Sequence, residues 1–142
     1  MKYLDMINSR LTQYEEKVDF LMKNKGKFDG VFGLGHHPKN DPCHIEFYND
    51  IKKITEDIAD DPSVTAEETD AVVEIIIKAD SVKNSISGCT LMYVPMQGLA
   101  VPLISGMSEA KRNELGAWYS ENNPRRMRLP VQNDVCKAFG VK

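Results

Sequence analysis

The chain has 142 residues, of which 42% are hydrophobic and 27% charged, and a formal net charge of −3. That length allows one well-formed hydrophobic core, and the composition argues against a disordered, fibrous or disulfide-rich protein. The negative balance argues against nonspecific nucleic-acid binding, which depends on clustered basic residues that neutralise phosphates. We therefore expect one globular domain over residues 1–142 that does not bind nucleic acid.

The sequence indicates an intracellular protein without a membrane span. Its first residues, MKYLDMINSRL, carry charges every few positions and lack an apolar core of signal-peptide length. The cysteines Cys43, Cys89 and Cys136 are odd in number and far apart, which suits reduced thiols. The uncharged stretch 84–108 is long enough to cross a bilayer, but glycine, proline and hydroxyl residues interrupt it. We expect a cytoplasmic protein that buries this stretch as a broken segment.

The first predicted helix covers residues 3–24. Apolar side chains recur there at spacings of three and four: Leu4, Ile7, Leu11, Tyr14, Val18 and Leu21. Such spacing predicts an amphipathic helix whose narrow apolar seam packs on another helix. Gly26 fits a C-cap, and a loop rich in glycine and histidine follows. A loop of about fifteen residues in a compact domain often carries function.

A second helix is predicted to begin at Asp41 and Pro42. Aspartate at an N-cap accepts free backbone amides, and proline at the first helical position has no amide to leave unpaired. The helix should run to about Ala59, because apolar residues continue at helical spacing. Its core face includes Cys43 and Phe47, which are four residues apart.

A third helix is predicted over residues 66–80. Thr65 and Glu68 fit a capping box, in which side chains and backbone amides pair reciprocally. The segment AVVEIII leaves this helix apolar nearly all round, so it is central or lies in an oligomer interface. Its β-branched residues also suit a buried strand, so the alternative fold is α+β with a two-stranded element formed by EIII and TLMYV.

The second half of the chain predicts shorter elements. A short helix is expected around residues 99–104 within the uncharged stretch, and Ser108 should cap the next helix, which ENNP ends. Leu129 and Pro130 should open a final helix that Gly140 closes. We therefore predict an all-α single domain of five or six helices, with a Gly/His-rich loop after the first.

The stretch GLGHHPKNDPCHIEF contains all three histidines of the chain, His36, His37 and His44, together with Cys43. If the second helix begins at Asp41, Cys43 lies in its first turn. A thiolate there faces unpaired amides and the positive end of the helix dipole, which lowers a cysteine pKa. A neighbouring imidazole could take the proton, so we predict Cys43 and His44 as a catalytic pair.

The same stretch also has the ligand types of a metal site. Cysteine sulfur and histidine nitrogen suit zinc or iron, so His36, His37, Cys43 and His44 are the predicted ligands. Adjacent helical residues diverge by about 100°, so at most one of Cys43 and His44 is expected to bind together with the loop histidines. The structural alternative is that Cys43 is a small core residue and that the histidines only form hydrogen bonds.

Two other groups of residues suggest ligand contacts. Arg125, Arg126 and Arg128 lie between two predicted helices, where guanidinium groups and helix-end amides could hold the carboxylate or phosphate of a small anionic ligand or cofactor. Pairing with the acidic block at residues 56–74 is the structural alternative. Methionines of the uncharged stretch, with Tyr93, could line an apolar pocket or fill the core.

Two hypotheses of different class follow, and the sequence leaves open whether the protein is an enzyme. In the first, the chain is a small intracellular protein whose His/Cys site, at the start of the second helix, binds metal or carries out thiol chemistry. In the second, it is a noncatalytic helical interaction module. That module would form a homodimer through the seam of the first helix or the isoleucine face of the third.

Overall fold

The computed structural model describes residues 1–24, 38–122 and 130–141. These ranges form six α-helices: α1 Lys2–Lys23, α2 Cys43–Asp60, α3 Ala66–Lys78, α4 Val101–Ile104, α5 Glu109–Asn122 and α6 Pro130–Phe139. Short 3-10 turns cover Pro38–Asn40, Ala79–Ser81 and Gln97–Ala100. The prediction of an all-α fold is confirmed.

The α+β alternative is wrong. The EIII residues lie inside α3, and within the described ranges the β pairing is limited to one isolated bridge between Lys83 and Thr90. The β-branched run folds as helix because a capped start at Thr65 and apolar neighbours on several sides outweigh a weak local preference for strand.

Helix α3 is the centre of the fold. It contacts α1, α4, α5 and the 3-10 turns at Ala79–Ser81 and Gln97–Ala100. Val72 and Val73 are fully buried, and Ile76 and Ile77 are nearly so. The chain itself therefore covers most of the apolar face of α3, and most of the α1 seam is buried in the same core cluster, with Leu4, Leu11 and Ile75 half-buried.

One carboxylate joins the starts of two helices. Thr65 Oγ1 accepts a hydrogen bond from the Glu68 amide at 3.1 Å, as the capping box predicts. The Glu68 side chain, however, accepts from the amides of Tyr3 at 2.8 Å and Leu4 at 3.2 Å. Glu68 therefore caps α1 from α3 and fixes the two helices at their N-terminal ends.

The uncharged stretch is irregular, as expected, but its burial is only partial: residues 85–90 are exposed, and most of residues 91–108 are buried or half-buried. Asn84 is buried, and its side-chain oxygen Oδ1 accepts from the backbone amides of Ile86 and Ser87. Its side-chain nitrogen Nδ2 donates to the Asp19 carboxylate on α1 at 2.7 Å. Gly88 supplies the positive φ of +71° that closes this turn. None of the helices in the described ranges combines the length and apolar character needed to cross a membrane.

The last two helices begin where the sequence predicts. Ser108 Oγ accepts from the Lys111 amide at 3.3 Å and donates to Asp70 on α3 at 2.6 Å, so it caps α5 and ties it to α3. Pro130 opens α6, and Gly140 follows its end with a φ of +74°. Helix α5 therefore packs on α3, while α6 packs on α4, α5 and the Gln97–Ala100 turn.

Candidate functional site

The start of α2 lies one residue later than the sequence indicates. The helix begins at Cys43, and Asp41 Oδ1 accepts from the Cys43 amide at 2.9 Å, so Asp41 serves the capping role predicted for it. Cys43 and His44 are thus the first two residues of the helix. His44 points inward and is only 3% exposed.

Both ring nitrogens of His44 have hydrogen-bond partners within the protein. Its Nε2 lies 2.6 Å from the carbonyl oxygen of Pro38, and because a carbonyl only accepts, Nε2 carries a proton and donates. Its Nδ1 lies 2.8 Å from the hydroxyl of Tyr14, which is also 3.2 Å from the carbonyl oxygen of Leu91. We refer to His44, Tyr14 and these two carbonyls as the His44 centre.

Aromatic rings enclose the His44 centre. Tyr14 stacks on Phe47 with ring centroids 4.2 Å apart, and the His44 imidazole packs against the ring of Tyr93 at the same centroid distance. The centre therefore connects α1, the turn at Pro38–Asn40, α2 and the segment around Leu91. No sequence pattern links Tyr14 to His44, thirty positions later, so this pairing escaped prediction.

Cys43 lies beside the His44 centre as a buried thiol. It is 8% exposed, and its Sγ lies 3.8 Å from His44 Nδ1. Burial, and after it a hydrogen bond with the Asp41 carboxylate, raise the pKa of Cys43 from 9.0 to about 12. The expected lowering of this pKa by the helix N-terminus is therefore wrong, because desolvation and a nearby negative charge outweigh the helix dipole.

The other predicted site residues cannot be placed. His36 and His37, and likewise Arg125, Arg126 and Arg128, lie outside the described residues. Within residues 1–24, 38–122 and 130–141, no three His, Cys, Asp or Glu side chains are grouped so that they could hold a metal ion. The metal site and the anion site stay predictions, and the structure brings together only the Cys43 and His44 members of the first.

A cavity of about 410 Å³ is lined in part by Tyr93. It is bounded by the end of α3, the segment 90–97, α5 and the start of α6. Aromatic and apolar side chains alternate in its wall with amides, including Tyr93, Trp118, Tyr119, Met92, Gln97 and Asn122. The prediction that methionines and Tyr93 line a pocket holds for Met92 and Tyr93.

Short-range contacts hold the cavity walls in place. The Thr90 hydroxyl donates to the Asp80 backbone carbonyl at 3.2 Å, and the Met96 amide donates to the Asp80 carboxylate at 3.2 Å. Tyr119 donates its hydroxyl proton to Gln97 Oε1. Lys78 Nζ lies 5.0 Å from the ring centre of Trp118, which fixes the indole against α3.

Comparison of the chain with protein-family models, curated proteins and solved structures gives no match. The fold and site together define an all-α protein with a buried histidine–tyrosine centre beside an aromatic, amide-lined cavity. Tyr93 belongs to both, since its ring packs against His44 and the residue also lines the cavity.

Proposed function

We propose that this protein binds a small organic molecule in the cavity between α3, α5, α6 and the segment 90–97. The observation that carries the proposal is the cavity itself, whose volume of about 410 Å³ is that of a small-molecule site. Its wall combines flat aromatic surface with a few amides and hydroxyls, which is the composition such sites share.

The rigidity of the wall supports this function. The 90–97 segment is held by two hydrogen bonds to Asp80, and the Gln97 side chain is held by Tyr119. When the side chains of a wall are already ordered in the free protein, ligand binding loses little free energy to fixing them. The cavity is therefore suited to bind a ligand without a large conformational change.

A nuclear magnetic resonance titration tests the proposal, because Trp118 is the one tryptophan of the chain and lines the cavity. We expect its single indole N–H resonance to shift saturably with at least one of three probes: benzimidazole, phenol and cyclohexanol. The dissociation constant should be below about 1 mM, which corresponds to about −4 kcal/mol of binding free energy.

A blocking variant shows where the probe binds. Thr90 lines the cavity and is exposed, so Thr90→Phe should fill part of the space and abolish the shift. Thr12→Phe, an exposed position on α1 away from the cavity, is the matched control and should keep it. Absence of a saturable shift with all three probes would contradict the proposed function.

A second candidate function is metal binding or thiol chemistry at Cys43 and His44. The 3.8 Å approach of the Cys43 sulfur to His44 Nδ1 supports it. A metal at His44 would have to replace either Pro38 or Tyr14 as the partner of a ring nitrogen. Near-stoichiometric zinc or iron in the untagged protein, lost in Cys43→Ser, is the expected result for this function; metal-free protein would count against its metal-binding form.

Compartment and assembly belong to the same proposal. Cys43, Cys89 and Cys136 are all free thiols, which supports a reducing compartment such as the cytoplasm. Most of the α1 seam and of the isoleucine face of α3 is buried within the chain, with Leu4, Leu11 and Ile75 half-buried, which argues against a homodimer through these two faces. Binding of a small molecule by one chain therefore explains more of the structure than a helical interaction module does.

A further inference from the structure

We propose that the ligand of the cavity is a planar nitrogen heterocycle that carries an N–H donor and a ring-nitrogen acceptor. This inference rests on the proposed function and narrows it to one class of ligand. Three side chains of the wall carry it, namely Gln97, Asn122 and Trp118.

Gln97 presents a hydrogen-bond donor to the cavity. Its carbonyl oxygen Oε1 already uses one of its two lone pairs to accept the hydroxyl proton of Tyr119, and its amide nitrogen is the donor that it can offer to a ligand. An amide nitrogen only donates. A ligand that uses Gln97 therefore needs an acceptor, such as an unprotonated ring nitrogen.

Asn122 presents the opposite group. Its amide nitrogen donates to the backbone carbonyl of Trp118 at 2.9 Å, one turn earlier in α5. That amide nitrogen keeps a second N–H, and the carbonyl oxygen Oδ1 is the acceptor that Asn122 can offer. A ligand that uses this oxygen therefore needs an N–H or O–H donor.

The aromatic wall selects for flat rings. Trp118, Tyr119 and Tyr93 all line the cavity, and stacking on aromatic side chains favours planar, unsaturated ligands. Within the part of the chain that the structure describes, the cavity is lined by Asp80 and by no lysine or arginine, so this wall disfavours an anionic group. A neutral heterocycle with both a donor and an acceptor satisfies the amides and the rings together.

Three probes of nearly equal shape separate these contributions. Benzimidazole has both a ring N–H and an acceptor nitrogen, indole keeps only the N–H, and 1-methylbenzimidazole keeps only the acceptor. Titrations followed by the Trp118 indole resonance should show benzimidazole binding about three- to tenfold more tightly than either relative, since each relative loses one hydrogen bond.

The Asn122→Ala variant tests whether Asn122 accepts the hydrogen bond from the N–H of the ligand. It should weaken benzimidazole and indole about three- to tenfold and leave 1-methylbenzimidazole unchanged, because only the first two have an N–H for the Asn122 carbonyl. Asn113→Ala, an exposed asparagine on the same helix that does not line the cavity, is the matched control and should change none of the three affinities.

The outcomes separate the ligand class from the function. Equal affinities for the three heterocycles, or an Asn122→Ala effect that is the same for all three, would overturn the heterocycle inference. Binding of phenol or cyclohexanol without binding of the heterocycles would also overturn it, while the cavity would remain a small-molecule site. Failure of all five probes would overturn the proposed function as well.

Discussion

The His44→Ala variant should unfold with a free energy about 2–5 kcal/mol lower than that of the unsubstituted chain. Two losses combine in this estimate. Removing a ring that is 3% exposed leaves a void against Tyr93, and it leaves the Pro38 carbonyl without its 2.6 Å donor. Urea denaturation followed by circular dichroism measures the change directly.

A double-mutant cycle identifies the hydrogen bond behind this loss. Tyr14→Phe removes only the hydroxyl that contacts His44 and Leu91, so it should cost about 1–3 kcal/mol. The double variant should be less destabilised than the sum of the two single variants, with about 0.5–3 kcal/mol of coupling. Tyr48→Phe, a half-buried tyrosine on α2, is the control and should cost little. Simple additivity of His44→Ala and Tyr14→Phe would contradict the His44 centre.

The helices were predictable because each carries its own local signals. Thr65 and Ser108 accept amides at the starts of α3 and α5, and Gly140 takes a positive φ after α6, as the sequence predicts. Caps and apolar spacing act within a few residues, so a single sequence displays them. Element boundaries within the described ranges differ from prediction by only one or two residues.

The contacts between helices were not predictable. Glu68 was expected to complete its own capping box, but it caps α1 from 65 positions away. Gly98 shows no turn signature in the sequence. A Cβ at this position would lie 2.9 Å from the Val131 side chain, so glycine allows the 97–100 turn to approach α6 closely. Such partners depend on how the helices pack, and helical periodicity specifies a face without naming its neighbour.

In the candidate site, too, local sequence signals were predictable and contacts between distant residues were not. The composition of the stretch around Cys43 and His44 predicts a site there, and the structure shows that His44 is buried at a junction of four segments. The cavity has no comparable local signal in the sequence, because its lining residues are spread from Ile77 to Gln132. Residues that are far apart in the sequence and meet only in the folded chain form no local motif, and neither Trp118 nor Asn122 belongs to one.

Raising the pH from 9 to 12 should destabilise the protein steeply. Burial raises the pKa of the Cys43 thiol from 9.0 to about 12, and burial also raises the pKa of Tyr14. Both groups therefore stay protonated in the folded chain at a pH where they would ionise in the unfolded chain. The stability they contribute is complete below pH 9 and is lost as the pH rises toward 12, by as much as about 4 kcal/mol for Cys43 alone.

Cysteine variants isolate the Cys43 share of this loss and decide between packing and thiol chemistry. Cys43→Ala should flatten the fall in the free energy of unfolding between pH 9 and 12, whereas Cys89→Ala, at an exposed position, should leave it unchanged. In the unsubstituted protein, a thiol reagent at pH 8 should label Cys89 and spare Cys43, because only the thiolate reacts. Rapid labelling of Cys43 in the folded protein would show an activated thiolate and restore the nucleophile hypothesis. Equal pH profiles for the two variants would mean that the buried thiol does not govern alkaline unfolding.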